Sequence, residues 1–344
     1  MNAPAEVTEA PVKVAKINFI QGLHQALDEA MAADENVIAL GEDIGDAQGG
    51  GIFKVTKGLT EKYGTNRIRS TPISEQAIIG AAVGAAIVGL RPVAEIMLMN
   101  FVTVAMDQIV NHAAKLRFMS GGQTHVPLVI RTTTGAGVGF GGQHSDMLEA
   151  WFAHVPGLKI VMASNPADAK GLLASAIEDD DPVIMIENIK AYGQMGAAPE
   201  PGYRVPLGKA AIAREGSDVT IIAYGPAVND ALAVAERLAG DGVSAEVVDL
   251  RTIAPFDEAT VFASVGKTRR AVVVHEAVKA YGTGAEIASR ITEELWDTLK
   301  APVARVGSTY SPVPFSPPLE KAWIYSQDQI AAAVRGTIDR RARG

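Results

Sequence analysis

Apolar and polar positions along the chain follow two rhythms that take turns. Asn18 to Asp34 has the spacing of an amphipathic helix, and Val37 to Leu40 is a short apolar run, a buried strand ending in Gly41-Glu42-Asp43. After a glycine-rich loop, Gly45 to Gly51, the pattern predicts a strand at Arg67 to Thr71 and a helix at Ser74 to Leu90. A strand at Pro92 to Met97 and a long helix from Phe101 to Met119 come next. Val126 to Thr132 reads as a strand that runs into glycine-rich sequence, and Leu158 to Ala163, Asp168 to Ile177 and Pro182 to Glu187 repeat strand, helix, strand. Such alternation predicts an α/β fold: a parallel sheet with helices on both faces.

From about Lys190 the rhythm lapses into Gly, Pro and Tyr as far as Tyr203-Arg204-Val205-Pro206, the expected linker. A second alternating unit follows. Strands are predicted at Val219 to Ala223, Ala245 to Leu250, Ala271 to Val274 and Val303 to Val306, with helices at Ala227 to Leu238, Phe256 to Val265 and Ala285 to Leu299. Ser311 to Pro318 is too rich in proline for regular structure. The expected organisation is a loose tail over 1–15, a first domain over 16–189, a linker over 190–206 and a smaller α/β domain over 207–340.

Composition narrows the chemistry. Hydrophobic residues make up 48% of the 344, ample for two cores, and the net charge of −8 is spread over mixed acidic and basic positions. Clustered Lys and Arg, the footprint of a nucleic-acid partner, are absent from the pattern. With no cysteine, disulfides, thiol nucleophiles and zinc–thiolate sites are excluded, and a reducing cytoplasm fits. The stretch Met1 to Lys16 has neither the apolar core of a signal peptide nor the Arg of a mitochondrial presequence. The longest apolar run, Ala77 to Leu90, falls short of the ~20 residues that span a bilayer and reads as a buried core helix, so no membrane partner is expected.

Gly137-Val138-Gly139-Phe140-Gly141-Gly142 fits the glycine fingerprint of dinucleotide-binding folds. That fingerprint needs a long helix directly after it, whereas here Gln143-His144-Ser145 and a short helical stretch follow. Thr71-Pro72-Ile73-Ser74-Glu75-Gln76 is more informative. Ser74 is a good N-cap residue, and Glu75 in the first turn is favoured by the helix dipole, so a capped helix explains the segment by itself. The helix that follows is apolar all round and so expected to be buried; a carboxylate at its head then needs a proton or a partner, which also makes Glu75 a catalytic candidate.

Gly41-Glu42-Asp43, Thr56 to Leu59, Thr71 to Gln76, Gly89 to Pro92, Asp107-Gln108-Ile109, Ala113-Ala114-Lys115 and Gln143-His144-Ser145 occur in one order. Pro156 to Lys159, Asp168 to Leu172, Asp180 to Val183 and Asp249 to Ile253 continue it. In these segments, from about Lys16 to Val334, the chain resembles the beta subunits of the thiamine-diphosphate-dependent pyruvate, branched-chain 2-oxo acid and acetoin dehydrogenases. The resemblance implies a transketolase-like, pyrimidine-binding N-terminal domain and a transketolase C-terminal domain. It implies that Glu75 meets the aminopyrimidine of thiamine diphosphate at a ring nitrogen, that Ile73 and Phe101 lie against that ring, and that His144 faces the substrate carbonyl. Glu42 would join a chain of buried carboxylates linking the two cofactors of a heterotetramer. Asp146 stands where such chains usually carry Gln or another uncharged residue.

The resemblance further implies a structural potassium ion at the end of the helix closing on Ala176-Ile177-Glu178-Asp179-Asp180-Asp181. Main-chain oxygens of Leu128, Ala176, Ile177, Asp179 and Asp181 would hold it; a plain acidic turn is the other reading. Partners implied are an alpha subunit, two of each chain per assembly, and a dihydrolipoyl acyltransferase core. Magnesium and the diphosphate would belong to alpha. Gly240-Asp241-Gly242 resembles the start of a magnesium motif, but Val265 to Arg270 lacks the required Asn, and the triplet falls where a helix must stop. The substrate stays open among pyruvate, acetoin and branched-chain 2-oxo acids, with Gly49 to Gly51 and Thr56 to Leu59 leaning towards the first two. Two rivals are a full-length transketolase-class synthase, whose chains are much longer, and a non-catalytic scaffold subunit, against which Glu75 and His144 together argue.

Overall fold

The computed structural model describes residues 15–339; the predicted tail lies almost wholly outside them. β1 (Lys16–Asn18) leads into α1 (Phe19–Ala33) through a reciprocal cap, in which the Asn18 side chain accepts the Gln21 N–H and the Gln21 side chain accepts the Asn18 N–H, each at 2.8 Å. β2 (Val37–Glu42), α2 (Leu59–Tyr63), β3 (Ile68–Thr71), α3 (Glu75–Ile87) and β4 (Arg91–Leu98) follow. The single long helix predicted from Phe101 is instead a relay: α4 (Met99–Val102), a 3-10 turn, a π-helical stretch at Gln108–Ala113 and α5 (Leu116–Met119). Through these changes of pitch Val102, Ala105, Ile109 and Ala113 stay buried. β5 (Val129–Thr134), α6 (Glu149–Ala153), β6 (Lys159–Met162), α7 (Pro166–Glu178) and β7 (Val183–Asn188) complete the first unit.

The expected linker is more ordered than its composition suggests. β8 (Met195–Ala197) pairs antiparallel with β1, and Val205 is buried with its N–H donated to the Gly171 carbonyl of α7 at 3.1 Å. The second unit comprises β9 (Ala211–Arg214), β10 (Val219–Ala223), α8 (Ala227–Ala239), β11 (Ala245–Asp249), β12 (Thr252–Ala254) and α9 (Glu258–Thr268). β13 (Ala271–Val278), α10 (Thr283–Leu295), β14 (Ala304–Ser308), α11 (Pro317–Trp323) and α12 (Gln327–Asp339) end it. Pro317 and Pro318, expected in an irregular tail, open α11, because first-turn N–H groups have no helical partner to lose.

The first sheet has the order β12-β6-β7-β5-β4-β2-β3 and the second β14-β13-β10-β11-β9; both are parallel apart from the edge strands β12 and β9. β5, β7, β10 and β11 are buried along their whole length and the other inner strands along most of it, the signature of sheets covered on both faces. α1 and α7 cover one face of the first sheet. A core cluster on the other face takes in Ile79 and Val83 of α3 and runs on to Ile222 and Val248 of the second sheet and to Tyr224 just past β10. β12 belongs by sequence to the second unit yet pairs with β6 of the first. No helix among the described residues is long and apolar enough to cross a membrane.

Candidate active site

The parallel strands deliver the candidate residues to one edge of the first sheet, the C-terminal edge, where open α/β sheets place their ligand sites. Glu42 ends β2 in register with Thr71 at the end of β3. Burial raises the pKa of the Glu42 carboxyl, with the Asp43 and Glu75 carboxylates adding to it, so Glu42 and Glu75 share one electrostatic neighbourhood. Glu75 is the first residue of α3, but Ser74 makes no side-chain cap bond, contrary to its expected role. The helix itself is not buried all round: Ile78, Ile79, Ala82, Val83 and Ala86 face the core, while Ala77, Ala81, Gly84 and Val88 line an exposed apolar side. Ile73, just before the helix, is 75% exposed.

Phe101 and His144 meet at this same edge. Their rings stand edge to face with centroids 5.3 Å apart, in a cleft of about 490 Å³ lined also by Ile52, Phe53, Met97, Leu98, Gly139 and Phe140. His144 occupies a turn after the glycine run, and the short helix that follows, α6, begins only at Glu149. Asn100 ties the two sides together. Its amide donates to the Asp146 carboxylate at 2.8 Å and to the Gly142 carbonyl at 3.2 Å, and its oxygen accepts the Asp146 N–H at 3.2 Å. Asp146 therefore serves as a strut between the walls. Phe101 and His144 share the cleft; Glu42, Ile73 and Glu75 do not line it.

Beneath the edge lies a buried charge cluster that the pattern of the sequence did not reveal. Arg131 of β5 donates to Glu95 of β4 at 2.6 Å and to both oxygens of Glu187 of β7 at 2.8 and 3.0 Å, and the Tyr192 hydroxyl donates to Glu187 at 2.7 Å. Burial raises the pKa of Glu187 although Arg131 opposes it. The signal available in the sequence was Glu95, Arg131 and Glu187 inside otherwise apolar strands.

The acidic turn lies at the opposite edge of the sheet. Ala176 and Ile177 lie in the last turn of α7, and the carbonyls of Ile177 and Asp179 each accept Arg91 Nη1 at 3.1 Å. The Leu128 carbonyl accepts the Val183 N–H at 2.9 Å. Lys159 reaches both Asp179 oxygens at 2.7 Å, and Asp181 pairs with Arg117 at 2.6 Å. The turn is thus cross-braced by three of the chain's own cations rather than simply solvated. Gly240-Asp241-Gly242 is a turn after α8, as expected, but its left-handed residue is Gly242 and Asp241 is paired with Arg335 at 2.6 Å. Among the described residues no group of three or more His, Asp or Glu side chains is placed to hold a metal ion.

Comparison with known proteins decides the family. Residues 15–194 match the transketolase pyrimidine-binding domain and residues 208–330 the transketolase C-terminal domain. The beta subunit of acetoin:2,6-dichlorophenolindophenol oxidoreductase from Cupriavidus necator is 46% identical over 94% of this chain and 98% of its own length. This chain belongs to the beta-subunit family of 2-oxo acid and acetoin dehydrogenases. The mitochondrial pyruvate dehydrogenase E1 component subunit beta-2 of Oryza sativa subsp. japonica is 44% identical over 97% of this chain and 89% of its own. The 2-oxoisovalerate dehydrogenase subunit beta of Bacillus subtilis is 42% identical over 93% and 98%. A solved chain described as a split gene transketolase, inactive beta4 tetramer, superposes with a TM-score of 0.76 over 94% of this chain and 99% of that one at 23% identity, a likeness of fold alone.

Proposed function

We propose that this beta subunit supplies the pyrimidine half of a thiamine-diphosphate site in a heterotetrameric dehydrogenase component acting on pyruvate, and that an alpha subunit completes the site with magnesium and the diphosphate. The observation that carries the reading is the gathering of the Glu42–Glu75 pair and the aromatic Phe101–His144 cleft at one edge of the sheet. The apolar, aromatic-walled cleft offers a face to a flat heteroaromatic ring, and Glu75, at a helix head on the same sheet edge but outside the cleft, would hold a proton at a nitrogen of a ring that extends from the cleft towards α3. The bound cofactor would supply the carbon nucleophile and electron sink. His144 would hold or move a proton at the substrate oxygen, and Ile73 with Phe101 would press on the ring. The exposed apolar side of α3 is the surface expected to receive the alpha subunit; the assembly would pass its acyl product to the lipoyl groups of an acyltransferase core. Acetoin is the second reading for the substrate, favoured by the 46% identity to an acetoin enzyme's beta subunit.

At the opposite edge we propose the structural potassium site on the oxygens of Leu128, Ala176, Ile177, Asp179 and Asp181. Each carbonyl has two lone pairs, so the N–H partners of Leu128, Ile177 and Asp179 leave a second acceptor position on each.

Glu75→Gln tests the central claim. As a first-turn charge alone, Glu75 contributes about 0.3–1 kcal/mol, so the amide should alter folding little and leave turnover intact. As the proton-holding group, its loss should slow hydrogen–deuterium exchange at the thiazolium carbon by orders of magnitude in the folded, alpha-reconstituted complex. Wild-type exchange in that complex would remove Glu75 from the site. Turnover of the alpha-reconstituted complex with Glu75 intact on pyruvate, acetoin and 2-oxoisovalerate identifies the substrate.

A further inference from the structure

The glycine run after β5 has its backbone N–H groups already engaged by carboxylates of the second unit. The Gly137 N–H donates to Glu320 Oε1 at 2.7 Å, and the Gly139 N–H donates to Glu320 Oε2 at 3.1 Å and Oε1 at 3.3 Å. One residue earlier, the Ala136 N–H donates to Glu276 Oε1 at 2.7 Å, whose other oxygen accepts the Asn188 amide at 3.0 Å. Both carboxylates are buried, at 3% and 4% exposure, on α11 and β13. The donors that a dinucleotide fold aims at a phosphate are turned here onto side chains of the same chain, which accounts for the fingerprint without a nucleotide.

The loop can be held this way only because it is glycine. Gly135, Gly137, Gly139 and Gly141 all have positive φ, and a Cβ on Gly141 would lie 2.4 Å from the Phe315 ring. Ala136 closes a small apolar cluster with Val313 and Trp323 of the C-terminal segment. Beyond these anchors the loop places Gly139, Phe140 and His144 in the wall of the Phe101 cleft, and the Asn100–Asp146 strut holds its far end.

We infer that Glu320, which lines no part of the cleft, is a positioning residue: through the N–H groups of Gly137 and Gly139 it sets where Phe140 and His144 stand against the substrate. The second unit thereby shapes the substrate pocket at a distance, with Glu276 as the companion anchor. This inference rests on the cleft being the active site. A displacement of ~1 Å in a positioning element costs about 100-fold in rate, because reacting groups must meet in near-attack geometry.

The test compares Glu320→Ala, Glu320→Gln and His144→Ala in the alpha-reconstituted complex. In Glu320→Gln the amide oxygen can still accept both glycine N–H groups at the Oε1 position, so this variant should recover most of what Glu320→Ala loses. For Glu320→Ala, kcat/KM should fall about 10- to 100-fold with a raised KM for the oxo acid, whereas a variant that had only lost stability would show fewer active sites and an unchanged KM. Amide hydrogen exchange of Gly137 and Gly139 should be faster in Glu320→Ala. Unchanged exchange, or wild-type kcat/KM in Glu320→Ala when His144→Ala has lost turnover, overturns the inference. Wild-type turnover by His144→Ala overturns the cleft reading and with it the positioning role, while faster exchange in Glu320→Ala would still show the anchor by itself.

Discussion

Replacing Arg131 with Met isolates the energetics of the buried cluster under the site. The guanidinium makes three bonds to two carboxylates, and the exposures of the three side chains are 3% for Arg131, 10% for Glu95 and 1% for Glu187. Met fills much of the same volume, so packing loss is small and the cost is chiefly that of two carboxylates left in low dielectric. Breaking a buried pair from one side costs about 3–5 kcal/mol. The orphaned carboxyls should escape by taking up protons, which makes the cost depend on pH. In the variant their folded pKa values lie above the unfolded ones, so stability present at low pH is lost as pH rises from about 4.3 upward, at about 1.4 kcal/mol per unit of displacement. Urea unfolding should therefore show a larger deficit at pH 8 than at pH 5.5, and adding Glu95→Gln and Glu187→Gln should restore most of it. A deficit below about 1 kcal/mol at pH 8, or one equal at both pH values, would refute the argument that the cluster is a desolvated charge network.

Asp249 offers a second pH signature: burial, with Asp168 adding, raises its carboxyl from 3.8 to about 7, so the folded state binds the extra proton and stability falls as pH rises between those values. Burial lowers His275 from 6.5 to about 4, which has the opposite sign over nearly the same range, since stability is lost as pH falls through it. Asp249→Asn should uncover the His275 rise, and an unfolding profile parallel to wild type would count against both assignments. For the proposed ion at the end of α7, the melting temperature should be higher in potassium than in lithium or a bulky ammonium salt at equal ionic strength, because only an ion that fits stabilises by mass action; identical melting in all three would rule the site out.

The family segments, the two alternating α/β units and most strand positions were legible in the chain, because strand and helix periodicities are local and the segments are contiguous; of the proposed site, the chain offered Glu75 and His144 as candidates, and the fold brings His144 to Phe101. Local pattern misled wherever the answer lay across the fold. The apolar residues of α3 promised burial on every side, yet only one side meets this chain's core, since sequence records apolarity and not which surface covers it. The segment from Phe101 to Met119 kept a helical average while its hydrogen bonding shifts between 3-10, α and π pitch to keep Ile109 and Ala113 on the sheet. Glu276 and Glu320 carried no signal at all: they lie 140 and 183 positions from the Ala136 and Gly137 N–H groups they hold, and only tertiary packing makes them neighbours. Likewise the glycine fingerprint was visible from the start, but whether its donors face a phosphate or a carboxylate was decided by α11 arriving from the far end of the chain, where a buried charge must find partners and the loop's unpaired N–H groups supply them.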